Sequence, residues 1–152
     1  MIRLPQELIE NICGELPKDD LKNVLTLNNK FQHAAERNSG AFSTYILTES
    51  SSDRFLALFP GHRFPYLRNV ICEPILTAVI YDGPPPCRET AKELRDKDEL
   101  FTRQIKHLFS TLRTVEEQAG KQGVSGRYRL SLQAPREPPS NQNWCEHREH
   151  VS

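Results

Sequence analysis

Residues 4–31 are LPQELIENICGELPKDDLKNVLTLNNKF, and this stretch decides the fold of the N-terminal part of the chain. Its first half carries large apolar residues at helical spacing, which widen into one apolar face of a helix: Leu8, Ile9, Ile12, Cys13 and Leu16. Pro5 fits the first turn of this helix, where a missing N–H costs nothing, and Pro17 interrupts it. The stretch therefore begins with one short amphipathic helix.

Two further helices are predicted after Pro17. Asp19 and Asp20 supply negative charge where a second helix would begin, and its apolar face consists of Leu21, Val24 and Leu25. Asn28 is a predicted N-cap for a third helix that contains Phe31, Ala34 and Ala35 and stops at Asn38-Ser39-Gly40. Three short helices in about forty residues cannot bury all this apolar surface among themselves. We therefore expect part of it to meet a partner.

The same residues carry a resemblance to the F-box, the module that anchors a substrate adaptor to the Skp-type subunit of a cullin–RING ubiquitin ligase. The matching parts are Leu4-Pro5-x-Glu7-Leu8, Ile12, Leu16, Pro17 with Asp20-Leu21, and Asn28-x-Lys30-Phe31. The polar pair Glu10-Asn11 departs from the leucine-rich pattern of many F-boxes, but it falls outside the apolar stripe. The resemblance implies an F-box at residues 1–40.

An F-box would bind the Skp-type adaptor through apolar side chains. The candidates are Leu4, Pro5, Leu8, Ile12, Leu16, Leu21, Val24 and Leu27. Helical geometry must assign some of them to the core of the module itself. The alternative is an ordinary three-helix subdomain, whose leucines at helical spacing serve only its own core.

Composition narrows the class of partner. The 152 residues include 20 Lys+Arg and 20 Asp+Glu, so no net charge favours nucleic acid or a membrane surface. No apolar run approaches the roughly twenty residues of a membrane span, and the first residues lack the pattern of a signal peptide. The four cysteines, Cys13, Cys72, Cys87 and Cys145, show no paired spacing. We expect reduced thiols in an intracellular protein of the cytoplasm and/or nucleus.

The second region, residues 41–134, alternates predicted strands and helices. Short strands are expected at residues 42–47 and 66–72, on either side of a two-turn helix at 54–59. Residues 74–98 are interpreted as an exposed excursion, followed by a helix that Asp96-x-x-Glu99 caps and Gly120 ends. Alternation over residues 127–133 predicts a third strand with one wet face.

This order predicts an α+β protein in which the three-helix module precedes a short leucine-rich-repeat-like α/β stack with a small parallel sheet. Residues 1–134 also resemble a group of filamentous-fungal F-box proteins, notably in Gly61-His62-Arg63-Phe64-Pro65-Tyr66-Leu67-Arg68 and in Phe101-Thr102-Arg103-Gln104-Ile105-Lys106. The resemblance implies a substrate-recognition adaptor of an SCF-type ubiquitin ligase that takes part in ubiquitin-dependent protein degradation. It does not imply what the repeat region binds.

A possible substrate face lies on the outward residues of the predicted sheet. It comprises Arg68, Asn69, Arg127, Arg129 and Ser131. Arginine forks bind carboxylate or phosphate bidentately, so an acidic or phosphorylated peptide is one conceivable ligand. The alternative is a solvated sheet face without a ligand.

Residues 135–152 form a polar, Pro-rich tail that is expected to be poorly ordered. No terminal cap of a repeat stack is visible, which leaves open a shortened repeat protein. Cys145, His147 and His150 could offer three zinc ligands, but they lack a Cys-x-x-Cys partner. No nucleophile and base or paired carboxylates suggest catalysis. We expect a non-catalytic adaptor without a cofactor; the alternative is a non-ubiquitin F-box-like scaffold or a truncated, inactive fragment.

Overall fold

The computed structural model describes residues 4–77 and 88–136. This part of the chain mixes helices with a small parallel sheet of three strands, as the sequence predicted. The elements are, in chain order, α1 (Gln6–Glu15), α2 (Lys18–Val24), α3 (Asn29–Ser39), β1 (Thr44–Leu47), α4 (Ser52–Leu58), a 3₁₀ helix (Gly61–Tyr66), β2 (Asn69–Cys72), α5 (Ala91–Lys121) and β3 (Arg129–Leu132). The residues predicted to form a tail lie outside the described part from 137 onward, as do Pro84, Pro85 and Pro86.

The first three helices close a small core. Both α1 and α2 pack against α3, and the buried residues between them are Ile9, Cys13, Leu21, Ala34 and Ala35. Asn28 caps α3 as predicted, because its side chain accepts hydrogen bonds from the backbone N–H groups of Lys30 (2.9 Å) and Phe31 (3.1 Å). At the other end, Gly40 adopts a left-handed conformation with φ of 67°, which terminates the helix.

The sheet has the strand order β1-β2-β3, and both neighbouring pairs are parallel. Each strand-to-strand connection contains a helix, α4 in the first and α5 in the second. Right-handed crossovers in one direction place both helices on the same face of the sheet. The core between the two layers includes Leu47, Phe55, Val70, Leu108, Leu112 and Val115. In the part of the chain that the structure describes, helices thus cover one face of the sheet.

The opposite face carries no helical layer among the described residues. In the strand register, Asn69 lies between Thr44 on β1 and Arg129 on β3. Two residues further along each strand, Ile46, Ile71 and Ser131 form a second row. These six residues are exposed or half-buried. We call them the open face: Thr44, Ile46, Asn69, Ile71, Arg129 and Ser131.

Both predicted ends of the long helix were wrong. The helix begins at Ala91, inside the expected excursion, because Thr90 and Glu93 form the capping box instead of Asp96 and Glu99. Thr90 N–H donates to the Glu93 carboxylate at 2.7 Å, and Glu93 N–H donates to Thr90 Oγ1 at 3.2 Å. The residues up to Asp98 are therefore helical, which extends α5 to 31 residues.

The C-terminal end of α5 uses a later glycine than predicted. Gly120 is helical, and the left-handed residue is Gly123, with φ of 69°. Val124 N–H donates to Ala119 O at 2.9 Å and Gly123 N–H donates to Gly120 O at 3.1 Å, which is the pair of bonds of a Schellman motif. Only glycine adopts this conformation without steric cost, so the helix ends at Lys121.

The strands are shorter than predicted. Residues 66–68 were expected to belong to the second strand, but Tyr66 closes the 3₁₀ helix. The third strand was expected to have one wet face, yet all four residues of β3 are exposed, including Leu130 at 39% and Leu132 at 55%. The reason is the position of α5, which covers β2 more fully than it covers the edge strand.

Among the described residues, no helix has both the length and the apolar character needed to cross a membrane.

Candidate functional site

Helix α1 presents apolar side chains on two sides. Ile9 and Cys13 are 2% and 1% exposed and face α3, whereas Leu8 and Ile12 are 48% and 41% exposed. The latter pair is four residues apart, so both side chains lie on the same face of the helix. Leu4, 39% exposed, precedes the helix and its N-cap residue Pro5. We call Leu4, Leu8 and Ile12 the α1 stripe, which is separate from the side that closes the core.

Some of the predicted adaptor-binding residues belong to the core of the three helices, and the others are exposed. Leu21 is buried in the core and is therefore not accessible to a partner. Leu16 and Val24 are half-buried and pack against that core. Pro5 and Leu27 are exposed, and so is Leu25, which the sequence assigned only to an apolar helix face. Five of the eight predicted residues are therefore accessible: Leu4, Pro5, Leu8, Ile12 and Leu27.

Burial of the α1 stripe in an interface would contribute an appreciable free energy. Complete burial of one leucine or isoleucine side chain contributes about 1.5–3 kcal/mol relative to full exposure. Single exposed apolar residues are common on protein surfaces, whereas contiguous exposed apolar patches mark interaction sites. The helix also carries Glu7, Glu10 and Glu15, and Arg37 of α3 pairs with Glu10 at 3.7 Å.

The open face contains three of the five residues predicted as a possible substrate face. Asn69 and Arg129 are direct neighbours in the register, and Ser131 lies in the adjacent row. Asn69 Nδ2 also donates to Thr44 Oγ1 at 3.4 Å. Arg127 precedes β3, and Arg68 precedes β2 and has the strand parity of the buried Val70. The structure therefore does not gather the two predicted flanking arginines onto the open face.

A buried carboxylate joins α3 to the 3₁₀ helix that precedes β2. Glu36 on α3 is 6% exposed and accepts hydrogen bonds from Arg63 Nε at 3.1 Å and from Arg63 Nη2 at 2.7 Å. It also contacts His62 Nε2 at 2.9 Å and accepts from Gln32 at 3.2 Å. Burial raises the pKa of this carboxyl, but hydrogen bonds from Arg63, His62 and Gln32 outweigh burial and hold its pKa at about 2. Glu36 is therefore ionised at neutral pH.

Stacked rings reinforce the same joint. His33 on α3 stacks on His62, with ring centroids 3.9 Å apart, and Tyr66 OH donates to the His33 carbonyl at 3.3 Å. Burial, together with the nearby His62 and Arg63, lowers the pKa of His33, although Glu36 opposes this effect. We call Glu36, Arg63, His62, His33 and Tyr66 the Glu36 joint. Sequence reasoning missed it, because a single glutamate on a helix gives no signal of burial.

A serine and a histidine meet between α4 and α5. Ser52 Oγ lies 3.0 Å from Nε2 of His107, an exposed residue of α5. The Ser52 hydroxyl donates its only proton to Glu49 O at 2.8 Å, so His107 supplies the proton of the shared bond. Among the described residues no carboxylate hydrogen-bonds to this imidazole. The pair thus ties two helices together and lacks the arrangement of a nucleophile with its base.

The described residues contain no cluster of three or more His, Cys, Asp or Glu side chains that could hold a metal ion. The predicted zinc candidates Cys145, His147 and His150 lie outside the described residues. Cys13 and Cys72 are free and buried, and burial raises the pKa of both thiols. Raised thiol pKa values are typical of structural cysteines.

No protein-family model matches the chain, and the searches found no match among curated proteins or among solved structures.

Proposed function

We propose that this protein is the substrate-recognition subunit of an SCF-type cullin–RING ubiquitin ligase. Residues 1–40 would form an F-box that binds the Skp-type adaptor, and residues 41–134 would form a leucine-rich-repeat-like unit that holds a target protein. The proposal rests on the F-box-like residues of the first three helices and on the geometry of their exposed side chains. On this view the chain performs no chemistry of its own.

The observation that carries the proposal is the exposure of the α1 stripe beside a closed core. Ile9 and Cys13 fill the contact of α1 with α3, whereas Leu8 and Ile12 are not among the buried or half-buried side chains of this core. Leu25 and Leu27, 37% and 61% exposed, add apolar surface after α2. These positions are among those, or adjacent to those, that the F-box resemblance assigns to the adaptor. An apolar groove on the Skp-type subunit would accept them.

The sheet unit supports the second half of the proposal. Helices cover one face of the parallel sheet, which leaves the open face available for a target, as in repeat proteins that bind ligands on their strands. Asn69, Arg129 and Ser131 offer hydrogen bonds there, and Ile46, 50% exposed, offers apolar contact. This mixture suits a polypeptide ligand.

The Glu36 joint holds the three N-terminal helices in a fixed position relative to the sheet unit. Its hydrogen bonds and its stacked rings connect α3 to the 3₁₀ helix that leads into β2. A ligase adaptor acts by holding a target near the ubiquitin-carrying subunit, so its contribution is a raised effective concentration. A rigid joint between the binding surfaces preserves that geometry.

The decisive experiment is co-purification of the full chain with a Skp-type adaptor. We expect Leu8→Lys with Ile12→Lys to abolish the interaction, since loss of a buried interface anchor costs about 2 kcal/mol or more. Both side chains are exposed, so circular dichroism and the unfolding midpoint should remain close to those of the wild type. Phe109→Lys is the matched control, because Phe109 is an equally exposed apolar residue on α5.

Undiminished binding by the folded double variant would reject the assigned surface. A second pair, Leu4→Ala with Pro5→Ala, tests the beginning of the stripe without introducing charge. The same purification distinguishes the ligase subunit from the alternative, a non-ubiquitin scaffold or inactive fragment. The alternative predicts capture of the Skp-type adaptor without cullin or RING subunits.

A further inference from the structure

One edge of β3 faces away from β2. Arg129 N–H donates to Arg68 O at 2.7 Å and Gln133 N–H donates to Cys72 O at 3.0 Å, so the odd-numbered residues of this segment bond to β2. Backbone groups of successive strand residues point to opposite edges. The N–H and C=O groups of Leu130 and Leu132 therefore point away from β2, toward the free edge of the sheet.

The two edges of the sheet differ in how they are protected. At β1, the outward carbonyl of Ile46 accepts a hydrogen bond from Ser51 Oγ at 3.2 Å. At β3, no described residue donates to or accepts from the outward groups of Leu130 and Leu132. Natural proteins usually blunt such edges with a bulge, a proline or a covering loop. Residues 129–132 contain no proline, and all four are exposed.

Apolar side chains coincide with these unpaired groups. Leu130 and Leu132 share strand parity with Val70 and Cys72, their partners in the register, and so lie on the helix-covered side. Val70 and Cys72 are buried, whereas Leu130 and Leu132 are 39% and 55% exposed. The edge therefore combines four unpaired backbone groups with two partly exposed leucines.

We propose that β3 pairs antiparallel with β3 of a second copy of this chain, about a twofold axis that passes beside Ser131. In this register Leu130 of each copy lies opposite Leu132 of the other, and the two pairs exchange four backbone hydrogen bonds. The result is a continuous six-stranded sheet across two chains. The four leucines meet on the helix-covered side.

The sequence of β3 suits its own copy. The register sets Ser131 opposite Ser131 and Arg129 opposite Gln133, so no like charges face each other across the strands. Of the two neighbouring symmetric registers, one would pair Leu132 with Tyr128, which lies outside the strand and whose hydroxyl bonds to Glu116. The other would pair Leu130 with Ala134, which also lies outside the strand. The register about Ser131 uses strand residues for every hydrogen bond and pairs leucine with leucine. The interface is short, so the association depends on concentration.

A cysteine placed on the twofold axis tests this register. Ser131 forms a non-hydrogen-bonded antiparallel pair with itself, in which Cα atoms are about 4.5 Å apart, within the roughly 4.4–6.8 Å that a disulfide spans. Ser131→Cys should therefore form a disulfide-linked dimer under oxidised glutathione. Arg129→Cys is the matched control, since it lies on the same strand and open face but opposite Gln133. Both variants carry Cys87→Ser and Cys145→Ser.

We expect Ser131→Cys to cross-link at least about tenfold faster than Arg129→Cys, because only the thiols at position 131 would lie within bonding distance of each other. Ser131→Lys, which sets two charges opposite each other, should lower the self-association of the full chain in sedimentation velocity. Equal cross-linking rates, or a wild-type chain that sediments as a monomer at every concentration, would overturn the proposal. The test does not involve the α1 stripe, so its outcome is independent of the proposed adaptor function.

Discussion

Arg63 places two N–H groups on the carboxylate of Glu36, from Nε at 3.1 Å and from Nη2 at 2.7 Å. Such a bidentate pair fixes both the separation and the orientation of the groups that carry it. Its members belong to α3 and to the 3₁₀ helix, 27 residues apart in sequence. The contact therefore determines how the N-terminal helices sit against the sheet unit.

Glu36→Gln should destabilise the protein by roughly 2–3 kcal/mol, because the change leaves the Arg63 guanidinium without a buried counter-charge. Chemical unfolding at neutral pH measures the difference in the free energy of unfolding. Glu15→Gln serves as the control, since Glu15 is exposed on α1. An unchanged free energy of unfolding in Glu36→Gln would show that the joint contributes nothing to stability.

Stability should also fall in acid because of Glu36. Its folded-state pKa is about 2 against an ordinary value of 4.5, so its stabilisation is fully present above pH 4.5 and is lost as pH falls toward 2. His33 acts in the same direction at higher pH, because its pKa is lowered from 6.5. Unfolding midpoints measured from pH 7 to pH 2 should decline less steeply below pH 4.5 in Glu36→Gln. Parallel acid profiles for the two proteins would contradict this assignment.

Gln104→Ala should destabilise the segment that follows β2. The buried side chain of Gln104 accepts from Ile75 N–H at 2.8 Å and donates to Ile75 O at 2.5 Å, which secures both backbone groups of that residue. We expect a loss of about 1–3 kcal/mol and faster amide hydrogen exchange at Ile75. Gln118→Ala on the same helix is the control. Similar exchange at Ile75 in both variants would show that Gln104 is not its protector.

Two glycine substitutions should act in opposite directions. A Cβ at Gly126 would lie 3.1 Å from the Phe64 ring and from its carbonyl oxygen, and Phe64 is buried. Gly126→Ala should therefore lower the unfolding midpoint. Gly120 is helical with no atom within 4 Å of an added Cβ, so Gly120→Ala should stabilise by about 0.5–1 kcal/mol. Thermal unfolding of the two variants would show midpoint shifts of opposite sign, and shifts of one sign would contradict the packing described.

Local signals were sufficient for most helices and strands. Asn28 and Gly40 bound α3 as their side chain and backbone properties predict, and Pro17 separates α1 from α2. Competing local signals caused the errors in α5, where Thr90-x-x-Glu93 and Asp96-x-x-Glu99 both fit a capping box. The earlier box prevails because the residues between them also favour a helix.

The candidate surfaces were predicted only in part. Periodicity places Leu8, Ile9 and Ile12 on one broad apolar side, but it does not say which of them a neighbouring helix covers. Packing of α3 against Ile9 leaves Leu8 and Ile12 exposed. For the same reason Leu21, a predicted adaptor contact, lies in the core.

By itself, the sequence determined the order of the helices and strands, the three-helix beginning and the parallel sheet, because caps, prolines and apolar periodicity act over a few residues. The tertiary structure alone decided the Glu36 joint, the Gln104 contact with Ile75 and the open edge at Leu130 and Leu132. Each of these depends on groups brought together from distant positions. Burial and hydrogen bonding across such distances leave no local pattern in the chain.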